Sequence, residues 1–193
     1  DTKTIYFDSI YNIVKHFDKK YKDIDEVIKM GESLRKTLQK LGFGFIIARF
    51  MKRKILKDIK TKIHDVKKCK DVDKIKNIKQ KKIIVSNSLK EFVKPVLKHL
   101  RLRNEFSGVY GADDFNNMEK EMFIAEYLKK KNIPPEKCFY IGDRVADVKV
   151  AKKVGCISVI IFGKCAWDSK KDILKHKPDF IISGFSDLKK IVD

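Results

Sequence analysis

The stretch Cys138-Phe139-Tyr140-Ile141-Gly142-Asp143-Arg144-Val145-Ala146-Asp147 decides the fold. Its first four residues form an apolar strand, Gly142 permits a tight turn, and helical spacing takes over from Ala146 to Val154. The same joint recurs on both sides. Lys82–Val85, Phe106–Tyr110, Ile157–Phe162 and Asp179–Ile182 read as strands. Leu89–Leu100, Lys120–Lys131 and Ser186–Val192 read as helices between or after them. Strands alternating with helices imply right-handed crossovers, hence an α/β fold with a Rossmann-like, three-layer α/β/α parallel sheet. Ligands of such sheets bind at the carboxyl ends of the strands.

The first half reads differently. From Ile10 to about Asp73 the spacing is helical: Ile10, Ile13, Val14 and Phe17 share a face, and Ile24, Val27, Ile28, Leu34, Leu38 and Leu41 continue the pattern until Gly42 and Gly44 break it. Phe45–Ile59 and Ile63–Ile75 suggest two further helices. With 43% hydrophobic residues, the 193-residue chain can bury a real core. Its apolar runs are too short to span a membrane, which needs about 20 residues. No secretory leader opens it, and Cys69, Cys138, Cys156 and Cys165 show no CxxC spacing. A reducing, cytoplasmic setting without zinc is the expectation. The formal charge of +19 suits either a polyanion-binding surface or a lysine-biased composition such as that of heat-adapted proteins.

Three strand ends carry chemistry. Asp143 and Asp147, four residues apart at a strand tip and on the first helical turn, can converge on one hard cation; Mg²⁺ takes such oxygen ligands and completes its shell with water and phosphate. The plainer alternative is a helix cap plus a surface acid. Ser86-Asn87-Ser88 ends the Lys82–Val85 strand and offers a hydroxyl and backbone amides to a phosphate oxygen, or simply a helix cap at Ser88. Lys120 opens the helix that leads to Asp143, at the helix end where a cation opposes the dipole, which suggests service to an anion.

Taken together, Ser86-Asn87, then Lys120, then Gly142-Asp143-x-x-x-Asp147 resembles the second, third and fourth motifs of the haloacid dehalogenase-like hydrolases. Ile133-Pro134-Pro135-Glu136-Lys137-Cys138, Ala151-Lys152-Lys153-Val154-Gly155-Cys156 and Pro178-Asp179-Phe180 extend the resemblance over about Lys82 to Val192. It implies a Mg²⁺-dependent phosphatase of a small phosphorylated metabolite, working through an aspartyl-phosphate intermediate. By position, Ser86 and the backbone near Asn87 would bind the phosphoryl group, and Lys120 would hold both phosphate and nucleophile. Asp143 would bind the metal, while Asp147 would hold a metal-bound water or steady the loop.

The first motif has two alignments. Thr4-Ile5-Tyr6-Phe7-Asp8 can be a strand ending in the nucleophile and metal ligand Asp8, although Ile10 then stands at the acid/base position and Tyr11-Asn12 replaces the usual Gly-Thr. Alternatively Asp1-Thr2 is the tail of that motif, the first strand and nucleophile lie outside the sequence, and Asp8 is a surface acid on the first helix. The expected division is 1–14 as the start of the core or the first cap helix, 15–80 as a small helical cap, and 81–193 as the core. Cap residues Arg49, Lys52, Arg53 and Lys54 suit either substrate or solvent, and Trp167 is expected in core or lid packing. Two other functions stay open: a dehalogenase or phosphonatase, motivated by Ile10, and a non-catalytic member that binds nucleic acid or another polyanion. Oligomeric state leaves no mark in the sequence.

Overall fold

Helical spacing governs the opening of the chain as well as its middle. In the computed structural model, which describes residues 2–16, 27 and 34–192, Ile5, Ser9, Ile10 and Val14 are buried on one side of a helix, α1 (Lys3–Val14). The elements that follow are α2 (Leu34–Lys40), α3 (Phe45–Thr61), β1 (Ile83–Val85), α4 (Lys90–His99), β2 (Gly108–Tyr110), α5 (Lys120–Lys130), β3 (Phe139–Gly142), α6 (Val145–Val154), β4 (Ile157–Ile161), α7 (Lys170–Lys175), β5 (Phe180–Ile182) and α8 (Phe185–Val192). α7 is an addition to the sequence reading. The helical pattern expected through Phe17, Ile24 and Ile28 falls outside the described residues.

α1, α2 and α3 bury one shared apolar cluster. Ile10 and Val14 meet Leu38 of α2 and the Ala48, Met51, Ile55 and Ile59 stripe of α3. Gly42 turns the chain between α2 and α3 at φ +81°, a conformation that a side chain disfavours. Phe92 and Val96 of α4 join the same cluster, so these helices sit directly on the sheet-bearing half.

The helix expected at Ile63–Ile75 does not form. Two short 3₁₀ turns, Ile63–Asp65 and Val72–Asn77, stand there instead. Long-range ties explain the difference. Asp71 is left-handed at φ +52° and caps α8, its carboxylate accepting from the Phe185 and Ser186 amides at 3.3 and 3.0 Å. Two residues earlier, Cys69 is joined by a disulfide to Cys165, 96 residues away, with Cα atoms 6.1 Å apart. The expectation of reduced thiols, drawn from the lack of a CxxC, is therefore corrected for this pair; Cys138 and Cys156 are free.

The five strands among the described residues run parallel, in two sheets: β1 with β2, and β3-β4-β5. Helices cover both faces, giving the three layers. On one face, Leu97 of α4 and Phe185 of α8 pack with Ile84 and Val109, and Leu188 of α8 with Val159 and Ile182. On the other, Ile124 and Leu128 of α5 and Val150 of α6 pack with Val85 and Tyr140. The β1–β2 crossover thus uses one face and the β2–β3 crossover the other. Right-handed crossovers on opposite faces run in opposite directions, which puts β3 on the β1 side of the first sheet and reverses the strand order there, with no ladder between β1 and β3 among the described residues. Ser158 ties β4 to the start of β5 by exchanging hydrogen bonds with Asp179 at 2.6–2.9 Å, which gives the Pro178-Asp179-Phe180 stretch a structural role.

Candidate active site

The reversal point between β1 and β3 is where a ligand of an open parallel sheet binds, and two loops form its lips. The β3 lip is built around Asp147. One carboxylate oxygen accepts from the backbone N–H groups of Asp143 and Arg144, both at 3.2 Å; the other takes the Tyr140 hydroxyl at 3.2 Å and the Lys120 ammonium at 3.3 Å. The side chains of Lys120 and Asp147 are only 11% and 12% exposed. The Lys120 ammonium also lies 5.4 Å from the centre of the Tyr140 ring. Gly142 is required by this closeness, because a Cβ there would stand 2.3 Å from the Asp147 carboxylate.

Asp143 has a different environment. Burial raises its carboxyl pKa to about 7, the negative charges of Asp147 and Asp168 add to the effect, and Arg144 opposes it. Burial, reinforced by Asp147, likewise holds the Tyr140 hydroxyl well above its ordinary pKa, so it remains a donor. A carboxylate so short of positive charge fits a divalent cation. Mg²⁺ is commonly held by one or two carboxylates, with water and substrate phosphate completing its octahedron. Among the described residues no group of three or more His, Cys, Asp or Glu side chains is arranged to hold a metal, so Asp143 would be its principal protein ligand. Both oxygens of Asp147 are already occupied by donors, which makes it the organiser of the loop.

The β1 lip is more lightly built. Ser86 follows β1, its backbone N–H bonded to Tyr110 O at 2.9 Å, and its hydroxyl accepts from the Ser88 amide at 3.1 Å. Asn87 is half-buried between them. Ser86, Asn87 and Asp143 thus share the carboxyl rim of parallel strands, and Lys120 reaches that rim from α5. Asp8 does not belong to this group. Thr4–Asp8 lies within α1, and Asp8 is exposed there, so the strand alignment that made it a strand-end nucleophile and metal ligand is corrected. The Ile5, Ser9 and Val14 spacing outweighs the strand propensity of the Ile-Tyr-Phe run.

Sequence reading missed a second ring of residues. Asp168 accepts from the Val145 amide at 2.7 Å and so caps α6 from 23 residues away. The Arg144 guanidinium lies 4.4 Å from the centre of the Trp167 ring, against which Tyr6 and Phe7 of α1 also pack at 6.3 and 5.6 Å. Tyr6 places its hydroxyl 3.4 Å from that of Ser88, and Lys3 donates to the Ala166 and Trp167 carbonyls at 3.2 and 3.4 Å. The start of α1 therefore bridges both lips. No sequence spacing foretold this, because the Ala166–Asp168 loop reaches the rim only through tertiary packing.

A parallel α/β sheet with its polar rim at the strand reversal defines a Rossmann-like protein. Residues 1–161 match the haloacid dehalogenase-like hydrolase family, and the chain belongs to it. It is 33% identical over 110 residues to a phosphoglycolate phosphatase of Salmonella paratyphi A, covering 54% of this chain and 41% of that protein. With the phosphoglycolate phosphatase of Aquifex aeolicus, identity is 34% over 113 residues, 57% of this chain and 50% of that one. The matched regions thus span half or less of these relatives. In fold, the chain resembles a solved structure described as a predicted phosphatase from Clostridium acetobutylicum, with a TM-score of 0.82 at 20% identity over 100% of this chain and 92% of that one. A haloacid dehalogenase-like hydrolase from Streptococcus pneumoniae gives a TM-score of 0.81 at 16% identity, again over 100% and 92%.

Proposed function

We propose that this chain carries the phosphate- and metal-binding half of a Mg²⁺-dependent phosphatase site acting on a small phosphorylated metabolite. The observation that carries the reading is the largely buried Lys120–Asp147 pair beside the half-buried Asp143 carboxyl at the carboxyl end of β3, with Ser86 at the carboxyl end of β1. Phosphoryl transfer needs in-line positioning and cancellation of charge spreading over the phosphoryl oxygens. Lys120 supplies a fixed ammonium, Ser86 a hydroxyl, and the 86–88 loop its backbone amides. Bound at Asp143, Mg²⁺ would supply Lewis-acid polarisation of a phosphoryl oxygen. An aspartyl-phosphate intermediate calls for a carboxylate facing this rim, a role that Asp8 does not fill.

The α1–α3 helices, lying within the 15–80 cap of the sequence reading except for α1, would act as the lid that excludes water and selects the substrate. The names of the relatives make phosphoglycolate the first substrate to try. No helix among the described residues is long and apolar enough to cross a membrane. The cytoplasmic setting remains part of this reading, and the Cys69–Cys165 disulfide is the observation that stands against it. Equilibrium binding of phosphoglycolate and of inorganic phosphate, with Mg²⁺ and with EDTA, tests the reading together with phosphate release. Mg²⁺-dependent binding weakened at least tenfold in Lys120→Met and in Asp143→Asn is expected. Binding indifferent to Mg²⁺ and to both substitutions, with no phosphate released, would overturn it.

A further inference from the structure

We propose that the outer end of α3 docks on an anionic bilayer surface, entering it by Phe45, Ile46, Ile47 and Phe50 and holding headgroup phosphates with Arg49, Arg53 and Lys54. Nine large apolar side chains are exposed among the described residues, and four of them fall within the first six residues of α3. Single exposed apolar residues are ordinary, whereas a contiguous group marks an interaction site. Ile46 is 82% exposed, Phe45 59%, Phe50 56% and Ile47 47%. The helix is seated by its opposite stripe, Ala48, Met51, Ile55 and Ile59, so Ile46 and Phe50 are not needed to hold it in place. Its other end lies against the sheet-bearing half, where Lys60 pairs with Glu91 of α4 at 2.7 Å. At 1.5 Å per residue, Phe45 stands about 22 Å along the axis from that contact, which puts the apolar turn at the far end of the lid.

Charge selects the occupant. α3 carries six Lys and Arg side chains against one acid, Asp58, which Lys62 holds at 2.6 Å. Ile46, Phe50, Arg53 and Lys57, spaced four, three and four residues apart, run along one exposed line, so the apolar turn passes directly into a cationic one. The Lys54 ammonium already lies 4.9 Å from the centre of the Phe50 ring. A helix read by a protein groove presents apolar anchors at i, i+3 or i+4, and i+7. Here the i+7 partners of Ile46 and Phe50 are Arg53 and Lys57, which such a groove would have to bury. A second copy of the chain would set one molecule of charge +19 against another, cation to cation. An anionic bilayer meets both halves of the tip at once. Interfacial helices enter to a depth of about 5–10 Å. Arg49, Arg53 and Lys54, about 5 to 12 Å behind Ile46 along the axis, are then level with the phosphates, with their apolar stems against the acyl boundary. The inference rests on α3 alone and holds whether or not the rim hydrolyses phosphate.

The test is co-flotation of the intact chain with vesicles of phosphatidylcholine, alone or with about one third phosphatidylglycerol. Binding at least tenfold tighter to the anionic vesicles is expected. Because a chain of charge +19 is drawn to any anionic surface, the deciding variant keeps that charge. Ile46→Ser with Phe50→Ser should bind at least tenfold more weakly while its urea midpoint stays unchanged, and Ile46→Ser alone, at the most exposed of the four positions, should already weaken binding at least twofold. Arg53→Glu with Lys54→Glu, which leaves the apolar turn intact, should also lose at least tenfold. Serine variants that bind as the parent does would reduce the effect to net charge and overturn the proposal. Equal binding to neutral and anionic vesicles, no binding at millimolar lipid, or a dimer of the parent that the serine pair abolishes would each overturn it as well.

Discussion

The two lips of the rim are built to different standards. At the β3 lip a single carboxylate, Asp147, itself buried, gathers two backbone amides, a phenol and an ammonium from half-buried neighbours. At the β1 lip Ser86 makes one short loop bond to Ser88 and remains half-buried. Donors fixed in advance cost no reorganisation when charge arrives, so the β3 lip is suited to set the geometry of a metal and a phosphate. The β1 lip rests on the Ser86–Tyr110 ladder bond and that one loop bond, and its hydroxyl is not held by a charged partner.

Asp147→Ala is the largest test of this contrast. It leaves Lys120 buried without its partner and frees the Asp143 and Arg144 amides, so we expect a loss of about 3–5 kcal/mol in urea unfolding. The double variant Asp147→Asn with Lys120→Met, which removes both charges, should recover a substantial part. A loss under 1 kcal/mol for Asp147→Ala would mean that the lip is not organised around this residue.

Next in size is the disulfide. Cys165 lies two residues before Trp167 and three before Asp168, which brace the β3 lip through Arg144 and Val145. Reduction should lower stability by about 2–4 kcal/mol, the usual range for a bridge closing a long loop. It should also speed amide exchange at Val145 more than at Ser86. Equal acceleration at both lips would show that the bridge supports the whole molecule rather than the β3 side.

Asp143 tests the electrostatic side of the contrast. Its carboxyl titrates at about 7 in the folded protein against an unfolded value near 4, so the folded state binds the extra proton between them. Stability from this group is therefore full below pH 4 and falls as the pH rises to 7, after which the loss is complete. Asp143→Asn stays neutral and should escape that decline. In EDTA its advantage over the parent protein should grow to about 1–3 kcal/mol by pH 8, less than the full shift implies because buried charges relax. Adding Mg²⁺ should stabilise the parent and not the variant. An advantage independent of pH would place the effect in packing.

The sheet and its rim were legible in the sequence because their signals are local. The Cys138–Ile141 run, Gly142 and the four-residue spacing of Asp143 and Asp147 lie within ten residues. The errors lie where local signals are ambiguous or overruled. The Ile5-Tyr6-Phe7 run suits a strand or a buried helix, and only contact with α3 chooses between them. Ile63, Val66, Val72 and Ile75 keep near-helical spacing, yet the ties of Cys69 to Cys165 and of Asp71 to α8 pull the chain into short turns. Asp168 and Trp167 reach the rim from a loop beyond β4, and no spacing encodes that arrival.

The smallest expected effect belongs to Ser86→Ala. The hydroxyl accepts one amide hydrogen bond, 3.1 Å long, in a half-buried loop that water can reach. Such a bond contributes about 0.5–1.5 kcal/mol net, and solvation of the Ser88 amide returns part of it. A loss below about 1 kcal/mol is therefore expected in urea unfolding, with phosphate binding reduced by a larger factor than stability alone would explain. If Ser86→Ala destabilised the protein as much as Asp147→Ala, the β1 lip would be as rigidly built as its neighbour. The asymmetry between the two lips, one carboxylate with four donors against one hydroxyl with one, would then have no energetic basis.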